Sequence, residues 1–509
     1  MRRALFVVLI ALAIAPGPAS GQGLDETCLL PLAKSEPATV NVAYPDDSAA
    51  YYSGAYQLLP GTRIRIHGRY PHARYMSFNA YDAAQRPLDG VADVAIKPDP
   101  GSANPFARGA DRTVEKRDYT IFIDTGPRPA QPAANTIYTG TGQNGAPNTS
   151  GTFIYRVYIP DKGRDDTGGV GVPTVTIEPA GGEGGAAASP CTGLDKPKAS
   201  GINEAIAQQA LPDRPATGAT GPPKWRKFVN VASAVGISAT GSQQVGPADL
   251  DQLGGNGGFL SNLDNAYVSA FIDRANGKVV VTRFRAPTFP DTRPPAVRMP
   301  AAELRYWSLC QNDPSTQRFV ACLNDDRAFV TPDGFVTYVV STPGQRPSNA
   351  TRACGVNWLP WGPSSRGVLI YRHMLPATTF AESIQRAKPD HEAATMGDYL
   401  PVSQYLADRS AFERRGCIGA AVPNPIIVTR GSAKRTCTSR RLVAVRVRGG
   451  VATVRAGSRV RRVRVRGGRV LVDLRGLRRG SYRVRVTMGG KVVRRTVLRT
   501  CTRKGAPRT

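Results

Sequence analysis

The sequence predicts an all-β protein with two tandem antiparallel sandwich or jelly-roll domains, short helices at the junctions and a small basic β-sandwich at the C-terminus. Three observations predict this fold class. Blocks of sequence recur in the same order about 216 positions apart. Within each copy, short β-like runs alternate with turn residues. From residue 431 onward, apolar residues and arginine alternate with the period of a half-buried strand.

The N-terminus has the layout of a secretory signal peptide. Two arginines precede an apolar run from Ala4 to Ala15, and small residues follow, so we expect cleavage after Ala19 or Gly21. The run is about 12 residues long, which is shorter than the roughly 20 residues that span a bilayer. We therefore expect residues 1–21 to be removed, leaving a soluble chain without a transmembrane segment that is secreted or associated with the cell envelope.

Two copies of one fold follow the signal peptide. The stretch "FIYRVYIP" at 153–160 matches "LIYRHMLP" at 369–376, and "AYYSGAYQLLPG" matches "AYVSAFIDRANG" at the same offset of 216. "ARYMSFNAYD" matches "LRYWSLCQND" at an offset of 231, and "YTIFIDTGPRP" faces "VTYVVSTPGQRP". Ordered matches of this kind indicate an internal repeat. We predict a first sandwich at 24–190, a linker at 191–224 and a second sandwich at 225–430.

Helical patterns occur only at the junctions. They are "GINEAIAQQALP" from Gly201, "TFAESIQRA" from Thr379 and "VSQYLADRSAFERRG" from Val402. Elsewhere in each copy the runs between Gly, Pro and Asn are short enough for strands. The second sandwich is therefore expected to end in helices.

The C-terminal segment 431–509 is a separate, strongly basic module. It carries 25 Lys plus Arg and one acid, Asp473, so it holds +24 of the net charge of +29. Runs such as "LVAVRVR", "RRVRVR" and "YRVRVTM" place apolar residues on one face and arginine on the other. Paired glycines between the runs indicate hairpin turns. We expect an immunoglobulin-like mini-sandwich.

Eight cysteines in an exported chain favour disulfide bonds over metal or redox sites. None of them forms a CxxC pair. Their connectivity stays open, because eight cysteines allow 105 pairings. Position in the chain favours the pairs Cys28 with Cys191, Cys310 with Cys322, Cys354 with Cys417 and Cys437 with Cys501.

The blocks "GRYPHARYMSFNAYD", "ADVAIKPDPGSANPF" and "TFIYRVYIPD" resemble the bacterial proteins grouped as domain of unknown function 1214. The second copy, with "RYWSLC", "RPSNAT" and "WLPWG", looks like a diverged version, and the resemblance covers roughly 40–180 and 265–380. It implies a β-sandwich fold in exported and envelope proteins and no established activity. This chain lacks the partner domain that usually precedes such a sandwich. The C-terminal module resembles the immunoglobulin-like modules of secreted actinobacterial proteins.

Arginine and tyrosine recur at matched strand positions of both copies, where a guanidinium is costly to bury unless it is paired. One interpretation is a structural ion pair, or a hydrogen bond to loop carbonyls, that both copies share. The other is a pocket for an anionic or sugar ligand. Tryptophans in "WLPWG" are either core residues or a platform for sugar rings. The candidate ligand-binding residues are Arg74, Tyr75, Arg156, Arg305, Tyr306, Trp307, Trp358, Trp361 and Arg372.

The arginine face of the C-terminal module is a candidate polyanion-binding surface. Such a face attracts polyanions at low salt, and outside a cell these would be wall polymers, lipid head groups or DNA. The alternative is a merely solvated face, and sequence-specific nucleic-acid recognition is not expected. The candidate residues are Arg446, Arg448, Arg462, Arg464, Arg466, Arg483 and Arg485.

No catalytic motif is recognisable in the sequence. There is no GxSxG motif, and "HEAAT" at His391 lacks the second histidine of a zinc-binding helix. The spacing of the four histidines, His67, His72, His373 and His391, fits no metal site, so we expect neither metal nor cofactor. The acid pairs Asp165 with Asp166 and Asp325 with Asp326 are either solvated turns or, if folding brought carboxylates together, groups for glycoside cleavage.

Two functions follow from these patterns. The first is an exported non-catalytic envelope protein whose twin sandwiches bind a ligand or another protein, while the basic module binds anionic wall material or glycan. The second is a secreted carbohydrate-active or hydrolytic enzyme with an unrecognised site.

Overall fold

The chain divides into two compact units, Met1–Ile427 and Val428–Thr509. The predicted all-β class is confirmed, because antiparallel sheets build both units. The predicted signal peptide lies outside the described residues, as does most of the predicted linker. The computed structural model describes residues 30–32, 41, 43–58, 61–82, 86–142, 145–180, 221–228, 260–293, 297–314, 316–417, 442–446, 451–456, 459–465, 469–473, 480–488 and 491–500.

Eighteen of the described strands belong to the first unit. Those of the first copy are β1 Leu30–Leu32, β2 Ala49–Gln57, β3 Thr62–Arg69, β4 Ala73–Tyr81, β5 Pro87–Ala92, β6 Asp118–Asp124, β7 Thr136–Tyr138, β8 Ser150–Pro160 and β9 Thr174–Pro179. Those of the second copy are β10 Arg226–Phe228, β11 Asn265–Asp273, β12 Val279–Arg285, β13 Tyr306–Asp313, β14 Arg318–Asn324, β15 Phe335–Ser341, β16 Asn357–Pro360, β17 Arg366–Met374 and β18 Val402–Leu406.

Described helices are few and short. The α-helices are α1 Glu392–Met396 and α2 Arg409–Glu413. Single 3₁₀ turns occur at Asp93–Ala95, Arg274–Asn276, Pro343–Gln345, Arg352–Cys354, Ile384–Arg386 and Gly397–Tyr399. None of the helices in the described part of the chain has both the length and the apolar character needed to span a bilayer.

The two copies have the same strand order. In the first copy the sheets are β1-β2-β8-β4-β5 and β7-β6-β3-β9, and in the second they are β10-β11-β17-β13-β14 and β16-β15-β12-β18. Residues matched in the sequence also share a register: Arg156 lies opposite Ser77, and Arg372 lies opposite Ser308. Each copy contains one parallel pair, β6 with β7 and β15 with β16, because the connecting segment crosses back instead of forming a hairpin.

The central strands β4, β13 and β17 are buried along their whole length. In β4, one face packs inside the sandwich, where Phe78 stacks on Tyr155 with ring centroids 4.7 Å apart. Its opposite face, including Tyr75, contacts the second copy. Burial on both faces removes the alternation of apolar and polar residues that a half-solvated strand shows. This is why the two matched blocks "FIYRVYIP" and "LIYRHMLP" do not alternate simply.

The helical patterns predicted near the end of the second copy are only partly helical. The stretch from Val402 begins with β18, which pairs antiparallel with β12, and only then does α2 follow, with Asp408 as its N-cap. The stretch from Thr379 contains a single 3₁₀ turn, Ile384–Arg386. The stretch from Gly201 lies outside the described residues. Pairing with a sheet overrode the local helical pattern at Val402.

Two disulfides join described cysteines. Cys310 and Cys322 are cross-strand partners in β13 and β14, and their sulfurs are bonded. Cys354 is bonded to Cys417, across 63 positions of sequence. Disulfides of this kind are typical of proteins outside the cytoplasm. The predicted pairs Cys28 with Cys191 and Cys437 with Cys501 lie outside the described residues.

The second unit also consists of sheets. Its strands are β19 Leu442–Arg446, β20 Val451–Ala456, β21 Arg459–Arg464, β22 Arg469–Asp473, β23 Gly480–Met488 and β24 Lys491–Thr500. β19 pairs with β22, and the second sheet has the order β21-β20-β23-β24. The described core is small and aliphatic and comprises Ala452, Val454, Val470, Val472, Val484 and Val486.

Candidate functional site

Two reciprocal ion pairs join the two copies of the first unit. Arg74 of the first copy donates to Asp325 of the second at 2.5 Å and to Asp326 at 3.2 Å. Arg305, which matches Arg74 in the sequence, donates to Asp93 of the first copy at 3.1 Å. The first copy therefore supplies Arg74 and Asp93 to the contact, and the second copy supplies Arg305 and two carboxylates.

The two acceptor carboxylates have equivalent positions in their copies. Asp93 follows β5 and also accepts the backbone N–H of Met76 at 3.0 Å. Asp325 follows β14 and accepts the backbone N–H of Trp307 at 3.0 Å. The side chains of Arg74, Asp93 and Asp325 are 0% exposed. Buried charges are tolerated when they are paired and hydrogen-bonded in this way.

The predicted tyrosines make a second reciprocal contact. The Tyr75 hydroxyl donates to Asp264 at 2.5 Å, and the Tyr306 hydroxyl donates to Asp46 at 2.8 Å. Between the two rings lies Tyr158, with centroid distances of 5.5 Å to Tyr75 and 5.1 Å to Tyr306. Each tyrosine thus binds a loop of the other copy through its hydroxyl and packs on a shared aromatic residue.

The arginines in the middle of β8 and β17 reach across in the same manner. Arg156 donates to the carbonyl of Leu260 at 2.6 Å, and Arg372 donates to the carbonyl of Tyr44 at 2.5 Å. Tyr44 and Leu260 are themselves 216 positions apart, and both have positive φ angles, of 51° and 53°. Non-glycine residues adopt this conformation at a cost of about 1–3 kcal/mol, which the surrounding structure must offset. The carbonyls are therefore held in place for the guanidinium groups.

Burial perturbs the acidic partners. It raises the pKa of Asp93 to about 6, although Arg305 opposes the change. Burial likewise raises the pKa of Asp325 to about 6 against the opposing effect of Arg74. Desolvation of the carboxylates therefore outweighs the attraction of the paired guanidinium groups.

These two carboxyls are expected to make stability depend on pH. Between about pH 4 and 6 the folded protein keeps protons that the unfolded chain has released, so the free energy of unfolding should fall as pH rises through this window. The fall should be on the order of 2 kcal/mol for each carboxyl. Urea unfolding at pH 4, 5, 6 and 7 would measure it. The variant Asp93→Asn/Asp325→Asn should have a clearly flatter profile, and identical profiles would contradict the assignment.

The recurring arginines and tyrosines lie in the contact between the two copies. Arg74, Tyr75, Arg156, Tyr306 and Arg372 are all buried and contact the other copy. Arg305 is 11% exposed at its side chain and also contacts the other copy. The structure thus places the predicted ligand-binding arginines and tyrosines in structural contacts that both copies share, and ligand binding at these residues stays a prediction.

A small cavity lies where the copies meet. Its volume is about 50 Å³, which suits a few water molecules and is far below the roughly 300 Å³ of a typical small-molecule site. Two guanidinium groups at its wall already bind carboxylates, Arg293 to Asp326 at 2.9 Å and Arg327 to Asp47 at 2.5 Å. The cavity is lined by Ser48, Ala50, Ile159, Pro160, Asp166, Arg293, Asn324 and Arg327.

The tryptophans do not form a sugar platform together. Trp307 and Trp361 are 0% and 1% exposed and belong to the core of the second copy, so their faces are covered. Trp358 is half-buried, its Nε1 donates to Ser341 at 3.0 Å, and the Arg346 guanidinium lies 4.4 Å from its ring centroid. Packing inside the sandwich covers the rings of Trp307 and Trp361, whereas Trp358 is the most accessible ring of the predicted platform.

His67, His373 and the predicted acid pairs make local contacts or contacts between the copies. His373 is fully buried, accepts the backbone N–H of Ile384 at Nδ1, and burial lowers its pKa to about 3. His67 lies 3.4 Å from Asp99. Asp165 caps its own loop by accepting the N–H groups of Thr167 and Gly169, as expected for a turn. Asp325 and Asp326 are instead partners of Arg74.

The predicted polyanion-binding residues are partly described. Arg462, Arg464 and Arg485 are exposed. Arg446 lies in β19 and Arg483 in β23, but their side chains are outside the description, and Arg448 and Arg466 are wholly outside the described residues. In register, Arg485 lies opposite Arg455 of β20 on one side and Arg495 of β24 on the other. Three arginines therefore form a row across three neighbouring strands.

Comparison with known proteins gives no family. No protein-family model and no curated protein matches the chain. Among solved structures, it is similar to an uncharacterised protein from Burkholderia cenocepacia, with 13% identity, a TM-score of 0.42 and coverage of 75% of this chain and 83% of the other. It is also similar to a protein from Vibrio parahaemolyticus, with 11% identity, a TM-score of 0.35 and coverage of 73% and 92%. Both TM-scores are below 0.5, so nothing about activity follows from these similarities.

Sequence reasoning missed the acceptors of the contact between the copies. Asp93 and Asp325 stand at equivalent places after β5 and β14, and Asp46 accepts from Tyr306. Asp93 and Asp325 are 232 positions apart, which differs from both offsets of the matched blocks, so the repeat did not align these acids. The carbonyl acceptors, Tyr44 and Leu260, leave no signal in their side chains.

Proposed function

We propose that the protein is an exported, non-catalytic component of the cell envelope. In this proposal the twin sandwiches form one body that binds a ligand or another protein, and the basic C-terminal module holds that body on anionic wall material. The signal-like N-terminus and the resemblance to the family of domain of unknown function 1214 support export. The row of arginines in the C-terminal sheet supports the anchor, and it is the observation on which the proposal depends.

The arginine row is unfavourable for the isolated sheet. Like charges directly opposite each other on neighbouring strands repel and destabilise the pair. Here Arg485 has an arginine on both sides, Arg455 and Arg495. A polymer with regularly spaced negative charges would relieve this repulsion and bind at the same time. The exposure of Arg462, Arg464 and Arg485 leaves their guanidinium groups accessible to such a polymer.

The opposite face of this sheet explains why the module still folds. Ala452, Val454, Val484 and Val486 are buried and alternate with the charged positions of β20 and β23. One face supplies the small core, and the other supplies the charge. Folding and charge are therefore assigned to opposite faces of the same sheet, which suits a repetitive binding surface.

Deletion of residues 431–509 tests the anchor. The shortened chain loses +24 of the +29 charge, so it should bind purified anionic cell wall at least about ten-fold more weakly. Binding of the full chain should also weaken by about 100-fold between 50 and 300 mM salt, since multi-arginine contacts release counterions from a polyanion. Co-sedimentation of both forms with purified wall measures both effects.

A charge-matched pair of variants controls for net charge. Arg462→Gln/Arg464→Gln/Arg485→Gln removes three charges from the C-terminal sheet, and Arg108→Gln/Arg386→Gln/Arg409→Gln removes three exposed charges from the body. Only the first should weaken wall binding substantially. Equal effects of the two variants, or a shortened chain that binds as well as the full chain, would rule out the anchor.

A further inference from the structure

Four arginines act electrostatically on the imidazole of His72 in the first copy, and two of them donate to carbonyls on either side of it, Arg117 to Tyr70 and Arg112 to Ala73. Arg69 is the last residue of β3, Arg112 and Arg117 precede β6, and Arg164 follows β8. Three separate segments of the chain therefore bring positive charge to one place. None of these arginines contributes to the reciprocal contacts between the copies described above.

Arg117 is buried without a directly bonded carboxylate, although Asp161 acts on it from a greater distance. It is 1% exposed, and its guanidinium donates only to backbone carbonyls, to Val114 at 2.8 Å, to Arg112 at 2.6 Å and to Tyr70 at 3.4 Å. No carboxylate lies within ion-pair distance of it in the described part of the chain. Burial and the neighbouring Arg69 and Arg112 lower its pKa to about 10. A buried charge without a counter-ion is costly, and an anion beside it would offset that cost.

Three acids balance only part of this charge. Asp161 accepts from Arg112 at 2.7 and 3.0 Å, and Asp118 lies 3.6 Å from the Nε of Arg69. Arg164 is exposed. The nearby Asp165 is engaged by the backbone of its own loop, as described above. Asp165 stays charged and also attracts Arg164, so four guanidinium groups face three carboxylates, which leaves an excess of about one positive charge.

His72 is placed to donate a hydrogen bond into this cluster. Its ring is half-buried and has no hydrogen-bond partner among the described residues. Burial, followed by the charges of Arg117 and Arg164, lowers its pKa to about 4, so the imidazole is neutral at pH 7 and carries one N–H. Its backbone is fixed at both ends, by the carbonyl of Gly168 and the N–H of Asp161.

The loop after β8 is shaped to lie against this histidine. Gly168 has a φ of +67°, and a Cβ at this position would lie 2.8 Å from the backbone nitrogen of His72. Only glycine therefore permits both the conformation and the close approach. The loop brings Arg164 next to the cluster, so the arrangement exists before any ligand binds.

We propose that the arginine cluster around His72 binds the phosphate group of a phosphate-bearing ligand. A phosphate monoester carries close to two negative charges at pH 7 and has three acceptor oxygens, so the net positive charge of the cluster would attract it and the available donors would find acceptors. Guanidinium groups bind such oxygens in bidentate fashion. The donors available to it are Arg69, Arg164 and the N–H of His72, while Arg112 and Arg117 supply positive potential from beneath.

The ring of His72 provides a local reporter for the test. The full-length protein, labelled with ¹³C at histidine, has only four such rings, and His72→Gln assigns the signal. Titration with inorganic phosphate should shift the His72 signal saturably and raise its pKa by one unit or more, because a bound anion favours the imidazolium. The variant Arg462→Gln/Arg464→Gln/Arg485→Gln should give the same shift, which separates this site from the proposed anchor.

Matched variants and probes decide between a site and general attraction. Arg69→Gln/Arg164→Gln should weaken the phosphate response about ten-fold or more, while Arg128→Gln, an exposed arginine of the same copy, should leave it unchanged. Sodium chloride at equal ionic strength should give no saturable shift. The proposal fails if chloride reproduces the shift or if the double variant responds like the unaltered protein. A stronger response to glucuronate than to phosphate would overturn the choice of ligand.

Discussion

Replacement of Arg74 by methionine is expected to lower the free energy of unfolding by about 3–5 kcal/mol. The guanidinium and its partner Asp325 are both 0% exposed, so the variant leaves a carboxylate in the contact between the copies with neither solvent nor a counter-ion. Methionine keeps the length of the side chain and limits any cavity. Urea unfolding at pH 7, followed by tryptophan fluorescence, measures the loss.

Two comparisons separate the buried pair from an ordinary ion pair. Arg128→Met removes an arginine that is 52% exposed and paired with Asp89, and this change should cost less than about 1 kcal/mol. Arg74→Met/Asp325→Asn should be more stable than Arg74→Met alone, because it removes the uncompensated charge. If Arg74→Met were no more harmful than Arg128→Met, the buried contact would not hold the copies together.

Replacement of Trp361 by alanine is expected to cost about 3–5 kcal/mol, as for other large residues truncated in a core. Trp361 is 1% exposed and packs in the core of the second copy. Its Nε1 has no hydrogen-bond partner among the described groups, so Trp361→Phe gives up no hydrogen bond and should cost much less. Thermal and urea unfolding of both variants test this difference.

Trp358 is the control for the same motif. It is half-buried under Arg346, so Trp358→Ala should destabilise the protein clearly less than Trp361→Ala. A larger loss for Trp358→Ala would mean that the core of the second copy is organised differently from the structure. If Trp358→Ala lost sugar binding without losing stability, the result would support a sugar-stacking role for Trp358.

The fold class was accessible from the sequence because its signals are local. Short runs such as "YTIFID" and "FVTYVVS" became β6 and β15. Matched blocks of sequence placed Arg156 and Arg372 at equivalent positions. In the structure Arg156 of β8 and Arg372 of β17 do have equivalent partners on the neighbouring strand. The stretch from Val402 was harder, because five residues have too little periodicity to distinguish a strand from the first turn of a helix.

The roles of the recurring arginines were not accessible, since their partners lie far away in the sequence. Arg74 and Asp325 are 251 positions apart, and nothing near either residue indicates the other. For Arg156 the acceptor is the carbonyl of Leu260, a group that every residue has. Burial of both faces of a strand therefore looks the same in sequence whether a ligand or a second domain covers it.

Because the two copies belong to one chain, the contacts between them need not supply the whole free energy of association that separate subunits require. A single chain connects the partners through residues 181–220, so their association is intramolecular, with an effective concentration in the millimolar range for a suitable linker. Dilution cannot separate them, unlike the subunits of a dimer. The two copies can therefore diverge around the contact: within the first copy Arg156 donates to the amide oxygen of Asn79, and within the second copy Arg372 donates to the sulfur of Cys310. Covalent fusion thus tolerates an asymmetry that a dimer of identical subunits, with a single gene for both sides, has no means to acquire.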